Sequence, residues 1–250
     1  MHYEAHDSEI FVSKLSARAL ESGFESLLDY YYFLRYDDAD GREFDALIDS
    51  LVVNETYFLR EIDQLRVLVR DIIAKAVANS GRPRIWCAAA STGEEPLTLA
   101  LLLAEEGLLD RVEIVASDIS RRALSRAFEG TFGGRSLRVL DERTRAKWFD
   151  EQGDMVKVRR EIHRAIAWLR VNLLDDEAIA SLGSFDVILC RNVLIYFSEA
   201  TVAQVTKRLA DSLRPGGVLL VGVSESLMRF GTLLKCEERG GSFFYTKATP

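Results

Sequence analysis

Cysteine, histidine and proline are scarce in this chain of 250 residues, with three, three and four copies respectively. Cys87, Cys190 and Cys236 lie far apart, form no C-x-x-C pair and have no adjacent histidine, which argues against a zinc site and against a disulfide framework. His2, His6 and His163 are equally scattered, so neither a histidine metal centre nor a histidine triad is expected. No apolar run approaches the roughly 18–20 residues of a membrane-spanning helix, and the opening Met1–Asp7 is acidic where a signal peptide is basic. No low-complexity stretch is present, which excludes disordered and fibrous classes. A soluble, cytoplasmic protein is expected, and with no heptads or apolar surface stripe, a monomer.

What is present suffices for a full core: 48% hydrophobic residues and 28% charged. The length suits one large domain and a small one. The net charge of −7 is unevenly spread. Residues 1–60 hold five Lys and Arg against thirteen Asp and Glu, whereas residues 143–170 hold eight against four. The acidic total disfavours nucleic acid, while the basic segment leaves a contact with an acidic partner open.

Apolar spacing of three and four predicts helices over Phe11–Leu20, Phe24–Leu34, Phe44–Leu51 and Gln64–Val77. Short apolar runs then alternate with helical patterns. Strands are expected at 84–90, Val112–Asp118, Phe185–Cys190 and Val218–Val223, with helices at Glu94–Glu106, Ser120–Phe128 and Ala200–Leu213. Such alternation means α/β with a mostly parallel sheet. Ser242-Phe-Phe-Tyr-Thr246 reads as a final antiparallel strand. Around Arg160-Glu161, Met155–Arg159 and Ile162–Val171 each have period-two character and read as a small inserted β-hairpin carrying Lys157, Arg159, Arg160 and Arg164. The expected division is a helical domain over 1–62, a linker helix over 63–82, and an α/β domain over 83–250 with its insertion at about 140–171.

The junction Ala88-Ala-Ala-Ser-Thr-Gly93 follows the first strand, where open sheets bind ligands, and its small residues let a cofactor approach the backbone. Asp118 ends the next strand and could accept two ribose hydroxyls, or merely cap the following helix. The loop lacks the G-x-G-x-x-G of a pyrophosphate site, which favours S-adenosylmethionine over a nicotinamide cofactor.

Four blocks resemble the CheR-type chemoreceptor methyltransferases: Asn54-Glu-Thr-Tyr-Phe-Leu-Arg60-Glu, Trp86–Pro96, Cys190-Arg-Asn-Val-Leu-Ile-Tyr-Phe197, and Leu213-Arg-Pro-Gly-Gly with Ser224-Glu-Ser. The resemblance implies a Rossmann-like S-adenosylmethionine-dependent domain with an inserted β-subdomain, preceded by a small all-helical domain. It implies methyl transfer to receptor glutamates, with S-adenosylhomocysteine as product. It places Asn54, Thr56, Arg60, Ala88, Glu95, Asp118, Asn172, Leu173, Arg191 and Asn192 around the cofactor, and Arg60 and Tyr196 where methyl group and substrate carboxylate meet. Without it, Asn54 and Thr56 would read as helix caps and Tyr196 as ordinary core.

The chain also departs from the family. It reaches the Asn54 block early, and Lys14-Leu-Ser-Ala-Arg18 holds two cations where the family's second helix is arginine-rich. Asp150–Asp154 is short where tail-tethered relatives carry a glycine-rich loop, so recognition of a receptor's C-terminal pentapeptide is not expected, and docking on the receptor's cytoplasmic helices would use the basic hairpin. Alternatives are a cofactor-sensing module derived from a methyltransferase, or a carboxyl methyltransferase for another protein.

Overall fold

Apolar residues spaced three and four apart set the first helices of the computed structural model, which describes residues 8–249; His2, His6 and the rest of Met1–Asp7 lie outside them. Helices α1 (Ser8–Glu21), α2 (Leu27–Tyr32, prolonged by a π-helical turn at Phe33–Asp37) and α3 (Arg42–Leu51) pack around Ala19, Tyr30 and Leu47. Three apolar side chains make a small core, and a polar cluster supplements it. The Glu43 carboxylate accepts from Arg18 Nε and Nη2 at 2.7 and 2.5 Å, and from Ser22 Oγ and Tyr30 OH, each at 2.7 Å.

Beyond α3 the chain runs extended before α4 (Ile62–Val67), which continues through a π-helical stretch, Leu68–Ile73, into α5 (Ala74–Ser80). The α/β region follows: β1 (Arg84–Ala88), α6 (Glu94–Glu105), β2 (Glu113–Asp118), α7 (Arg121–Glu129), β3 (Thr131–Gly133), α8 (Glu142–Trp148), β4 (Phe149–Gln152), β5 (Met155–Val158), α9 (Arg160–His163) and β6 (Ile166–Arg170). It closes with α10 (Asp176–Ser181), β7 (Phe185–Cys190), α11 (Glu199–Ser212), β8 (Leu213–Val221), β9 (Lys235–Arg239) and β10 (Ser242–Thr246). Seven strands form one sheet in the order β6-β2-β1-β7-β8-β10-β9. The pairings from β6 to β8 are parallel, and β10 pairs antiparallel with β8 and β9. The α/β architecture expected from the alternating pattern is present.

Period two divides the sheet's side chains between two cores. Ile85, Cys87, Ile114, Val187 and Leu189 face the side packed by α6, while Trp86, Ala88, Val115, Ile188 and Cys190 face the side packed by α11. Both faces are covered, which is why these strands read as unbroken apolar runs. Burial pushes the Cys87 and Cys190 thiols well above their ordinary range, and both cysteines are core residues.

Two expectations need correction. Ile166–Arg170 is not half of a hairpin: it pairs parallel with β2 as an edge of the large sheet. The partner of Met155–Val158 is β4, and with β3 they form a separate three-stranded sheet. Of the four cations assigned to one hairpin, only Lys157 lies on it. Arg159 follows β5, Arg160 opens α9, and Arg164 follows α9. Within β8, Arg214–Gly217 forms a bulge where the register against β7 shifts.

The Glu43 cluster carries a stability prediction. Burial works against its charge, but the Arg18, Ser22 and Tyr30 donors outweigh it and hold the carboxyl at about 2, against 4.5 when free. A depressed carboxyl stabilises the fold above its unfolded pKa, and this is lost as pH falls toward the folded value. Glu43→Gln is expected to cost about 2 kcal/mol at neutral pH. In urea titrations its deficit against the parent protein should shrink steadily below pH 4.5.

Candidate functional site

The strand order reverses between β1 and β7, so their carboxyl ends splay apart and leave room for a ligand. A cavity of about 690 Å³ opens there. Its floor is Ala89–Ser91 after β1, Asp118 at the end of β2, Asn172–Leu174 after β6, and Arg191–Val193 after β7. The roof is α3 and the extended segment 52–57, with Ile48, Leu51 and Val52 supplying apolar surface. Salt and hydrogen bonds fasten this roof. Asp45 pairs with Arg121 at 2.5 Å and with Arg170, and Asp49 accepts from Ser120 Oγ at 2.5 Å. The Asp49 carbonyl accepts from Arg122 Nη2 at 2.7 Å.

The floor is made from strained backbone. Among the described residues, the non-glycine residues with positive φ are Leu59, Glu61, Ala89, Ser91 and Asn192, all on segments bordering the cavity. Such conformations cost about 1–3 kcal/mol each and persist where the surroundings impose them. At the β1 loop, Ala90 N donates to Ser117 O and Ser91 N to Asp118 Oδ2, each at 2.8 Å. Gly93 (φ +98°) ends the loop, and a Cβ there would stand 2.9 Å from both Ala127 and Trp168. No larger residue fits.

Asp118 also accepts from Ser120 N at 2.9 Å, and Ser120, not Asp118, caps α7 by accepting from Ala123 N. Burial raises the Asp118 pKa, the Ser120 and Ser91 N–H groups oppose the rise, and Asp49 adds to it. Each Asp118 oxygen keeps a lone pair for a further donor.

Arg191 is the junction of the site, its side chain 1% exposed. Nη1 donates to Glu95 Oε2 at 2.7 Å, and Nη2 to Glu61 Oε2 at 2.9 Å and Arg60 O at 3.1 Å. Glu61 further accepts from Asn192 Nδ2 at 3.0 Å and Val223 N at 3.1 Å. Its burial opposes ionisation, yet Asn192, Arg191 and Val223 together bring its pKa down. Glu95 goes the other way, because burial outweighs Arg191 and holds it above the ordinary carboxylate range. Glu225 organises the β7 loop, accepting from Asn192 N and Leu194 N at 2.7 Å and from Gly222 N at 2.8 Å. A Cβ at Gly222 would stand 2.6 Å from Asn192 Nδ2.

All the expected site residues line the cavity except Ala88, which is fully buried in β1 while Ala89, Ala90 and Ser91 face the space. Asn54 and Thr56 lie in the extended segment, so neither caps a helix near Tyr57; Asn54 Oδ1 accepts from Ser91 Oγ at 3.1 Å. Asn172 Oδ1 accepts from Leu174 N at 3.0 Å, which leaves the side-chain NH₂ for a ligand. Arg60 Nη1 donates to Glu55 O at 2.8 Å. Tyr196, half-buried, has its phenol raised by burial while the Arg60 charge acts against the rise. Glu61 and Glu225 were missed, although each sits inside a quoted block, because a glutamate that serves backbone N–H groups far along the chain has no local pattern.

The residues fit S-adenosylmethionine. Arg191 Nε is buried and lacks a hydrogen-bond partner, a donor that an amino-acid carboxylate would satisfy. Glu95 offers charge to an ammonium, Asp118 has lone pairs for ribose hydroxyls, and the apolar roof suits a base. Protonation of Asp118 would remove acceptor capacity, so affinity for S-adenosylhomocysteine should fall on acidification, beginning above the ordinary aspartate range. Asp118→Asn should bind more weakly and flatten that part of the profile, as read by calorimetric titration across pH.

Comparison with known proteins follows this geometry. The family model "CheR methyltransferase, SAM binding domain" matches residues 54–240. Chemotaxis protein methyltransferase 2 of Vibrio cholerae is 36% identical over 246 residues, covering 95% of this chain and 84% of that protein. Chemotaxis protein methyltransferase 1 of the same organism is 37% identical over 86% of this chain and 80% of its own. The Escherichia coli chemotaxis protein methyltransferase is 32% identical over 88% and 77%. The chain therefore belongs to the CheR methyltransferase family and is an S-adenosylmethionine-dependent methyltransferase of chemotaxis.

Proposed function

We propose that the enzyme methylates side-chain carboxylates of glutamates on the cytoplasmic helices of chemoreceptors, forming methyl esters. The observation that carries this reading is that Arg60 and Tyr196 stand together in the wall of the cofactor cavity, with no imidazole among the described residues that line it. Among the described residues the histidine is His163, whose Nε2 lies 2.9 Å from Ala127 O, away from the cavity. A glutamate carboxylate is already ionised at neutral pH and needs no base to attack. The cofactor supplies an electrophilic methyl group on its sulfonium.

The protein's work is then alignment and exclusion of water. Arg60 steers the carboxylate, its own main chain held by Arg191. A tight two-pronged pair would blunt the nucleophile, so Arg60 positions the substrate rather than neutralising it. Tyr196 orients the other side by its hydroxyl or ring. Exposed Lys157, Arg160 and Arg164, near the small sheet, are the proposed contact for acidic receptor helices, while Arg159 is turned toward Asp150. Only Gly153 and Asp154 join β4 to β5, which supports docking without a receptor tail.

The test is transfer of radiolabelled methyl to cytoplasmic receptor fragments, scored as base-labile volatile methanol. Base-labile label is the expected result, and its absence with a protein that binds S-adenosylhomocysteine would overturn the receptor reading. Arg60→Ala should lower kcat/KM by about 10²-fold and Tyr196→Phe by about 10-fold. Unchanged turnover in either variant would remove that residue's role.

A further inference from the structure

A second arginine stands beside the cavity without a part in the scheme above. Arg138 is exposed, in the segment leading to α8, and its guanidinium carbon lies 3.6 Å from the centre of the Tyr57 ring. Tyr57 lines the cavity, and the guanidinium carbon of Arg60 lies 5.8 Å from the same ring centre. Two positive charges are thus gathered on one aromatic ring. Among the described residues neither is in an ion pair, and Glu55 gives Arg60 its backbone carbonyl rather than its carboxylate. Of the neighbouring cations, Arg145 is matched by Glu151, Lys147 by Glu105 and Arg159 by Asp150, whereas Arg138 and Arg60 share an aromatic ring at the edge of the cavity.

The arrangement is held by the backbone. Phe58 N donates to Ser136 O at 3.0 Å, which joins the segment carrying Arg138 to the one carrying Arg60. Ser136 Oγ donates at 2.6 Å to Glu94 Oε1, at the start of the helix that also carries Glu95. Arg138 therefore keeps a fixed place relative to Arg60 and to the cofactor cavity. Like charges held together without a counter-ion raise the local positive potential, and an arriving anion relieves it.

The geometry points to Arg138 as a specificity residue that reads a second carboxylate of the substrate, one helical turn from the glutamate that Arg60 receives. This deepens the proposed methylation of receptor glutamates and rests on it. Side chains one turn apart on a helix have Cβ atoms about 5–6 Å apart, a span that two guanidinium groups sharing one ring can serve. Arginine suits the task because its planar group stacks on a ring while its edge N–H groups stay free for a carboxylate.

The experiment titrates two helical alanine-based peptides into the full chain saturated with S-adenosylhomocysteine. One peptide has a single glutamate, the other two glutamates four residues apart. The two-glutamate peptide is expected to bind about tenfold tighter, the worth of one charge-assisted hydrogen bond. Arg138→Gln should abolish that preference, lowering affinity for the two-glutamate peptide more than for the single-glutamate peptide and leaving affinity for S-adenosylhomocysteine unchanged. Arg138→Lys should retain part of it. Equal affinity of the parent protein for both peptides, including no measurable binding of either, would overturn the inference, as would a preference that survives in Arg138→Gln. Receptor labelling run alongside separates the two readings. Labelled receptor without an Arg138-dependent preference sinks this inference alone, and unlabelled receptor with that preference intact sinks the receptor assignment alone.

Discussion

The guanidinium of Arg191 holds together the parts from which the cavity is built. It ties β7, which ends at the preceding residue, to Glu95 of α6 and to Glu61 at the head of α4, which lies 130 positions away from Arg191 in the chain. Removing one partner of such a buried cluster costs roughly 3–5 kcal/mol, because the charges left behind are neither solvated nor matched. The unequal behaviour of the two carboxylates follows. Glu61 has Asn192 and Val223 in addition and stays easily ionised, while Glu95 depends on Arg191 alone and is penalised by burial.

Around that junction, strain and hydrogen bonding offset each other. Left-handed Ala89, Ser91 and Asn192 turn their loops so that successive N–H groups point at carboxylates: Ser91 at Asp118, Asn192 and Leu194 at Glu225. Left-handed Leu59 and Glu61 flank Arg60 on the other wall. The acids that shape these loops are also what make them affordable, since each charged acceptor is worth about 1.5–3 kcal/mol per hydrogen bond. Rigidity is the return, and methyl transfer in line needs its groups already in place.

The core of this arrangement was legible in the sequence. The β1, β2 and β7 runs are apolar on both faces, and the loops after them carry small or polar residues at the ends where ligands bind. The small sheet was not legible. Ile166–Arg170 alternates because it is an edge strand with one covered face, and that pattern is the same as that of a half-buried hairpin strand. Strands β3 and β4 are too short to show any period. The assignment of Asn54 to the cavity came from its resemblance block rather than from spacing, which favoured a cap. Glu61 and Glu225 show the limit most clearly, since the donors they serve come from elements remote in the chain.

The fastening of the roof is ionic. Asp49 on α3 is bonded to Ser120, whose N–H holds Asp118 and whose hydroxyl caps α7, so roof and floor meet in one serine. With Asp45 anchored to Arg121 and Arg170 as well, α3 is held over the cavity from both α7 and the end of β6. The grip of roof on floor therefore rests on partly exposed ion pairs, and it loosens as added salt screens them.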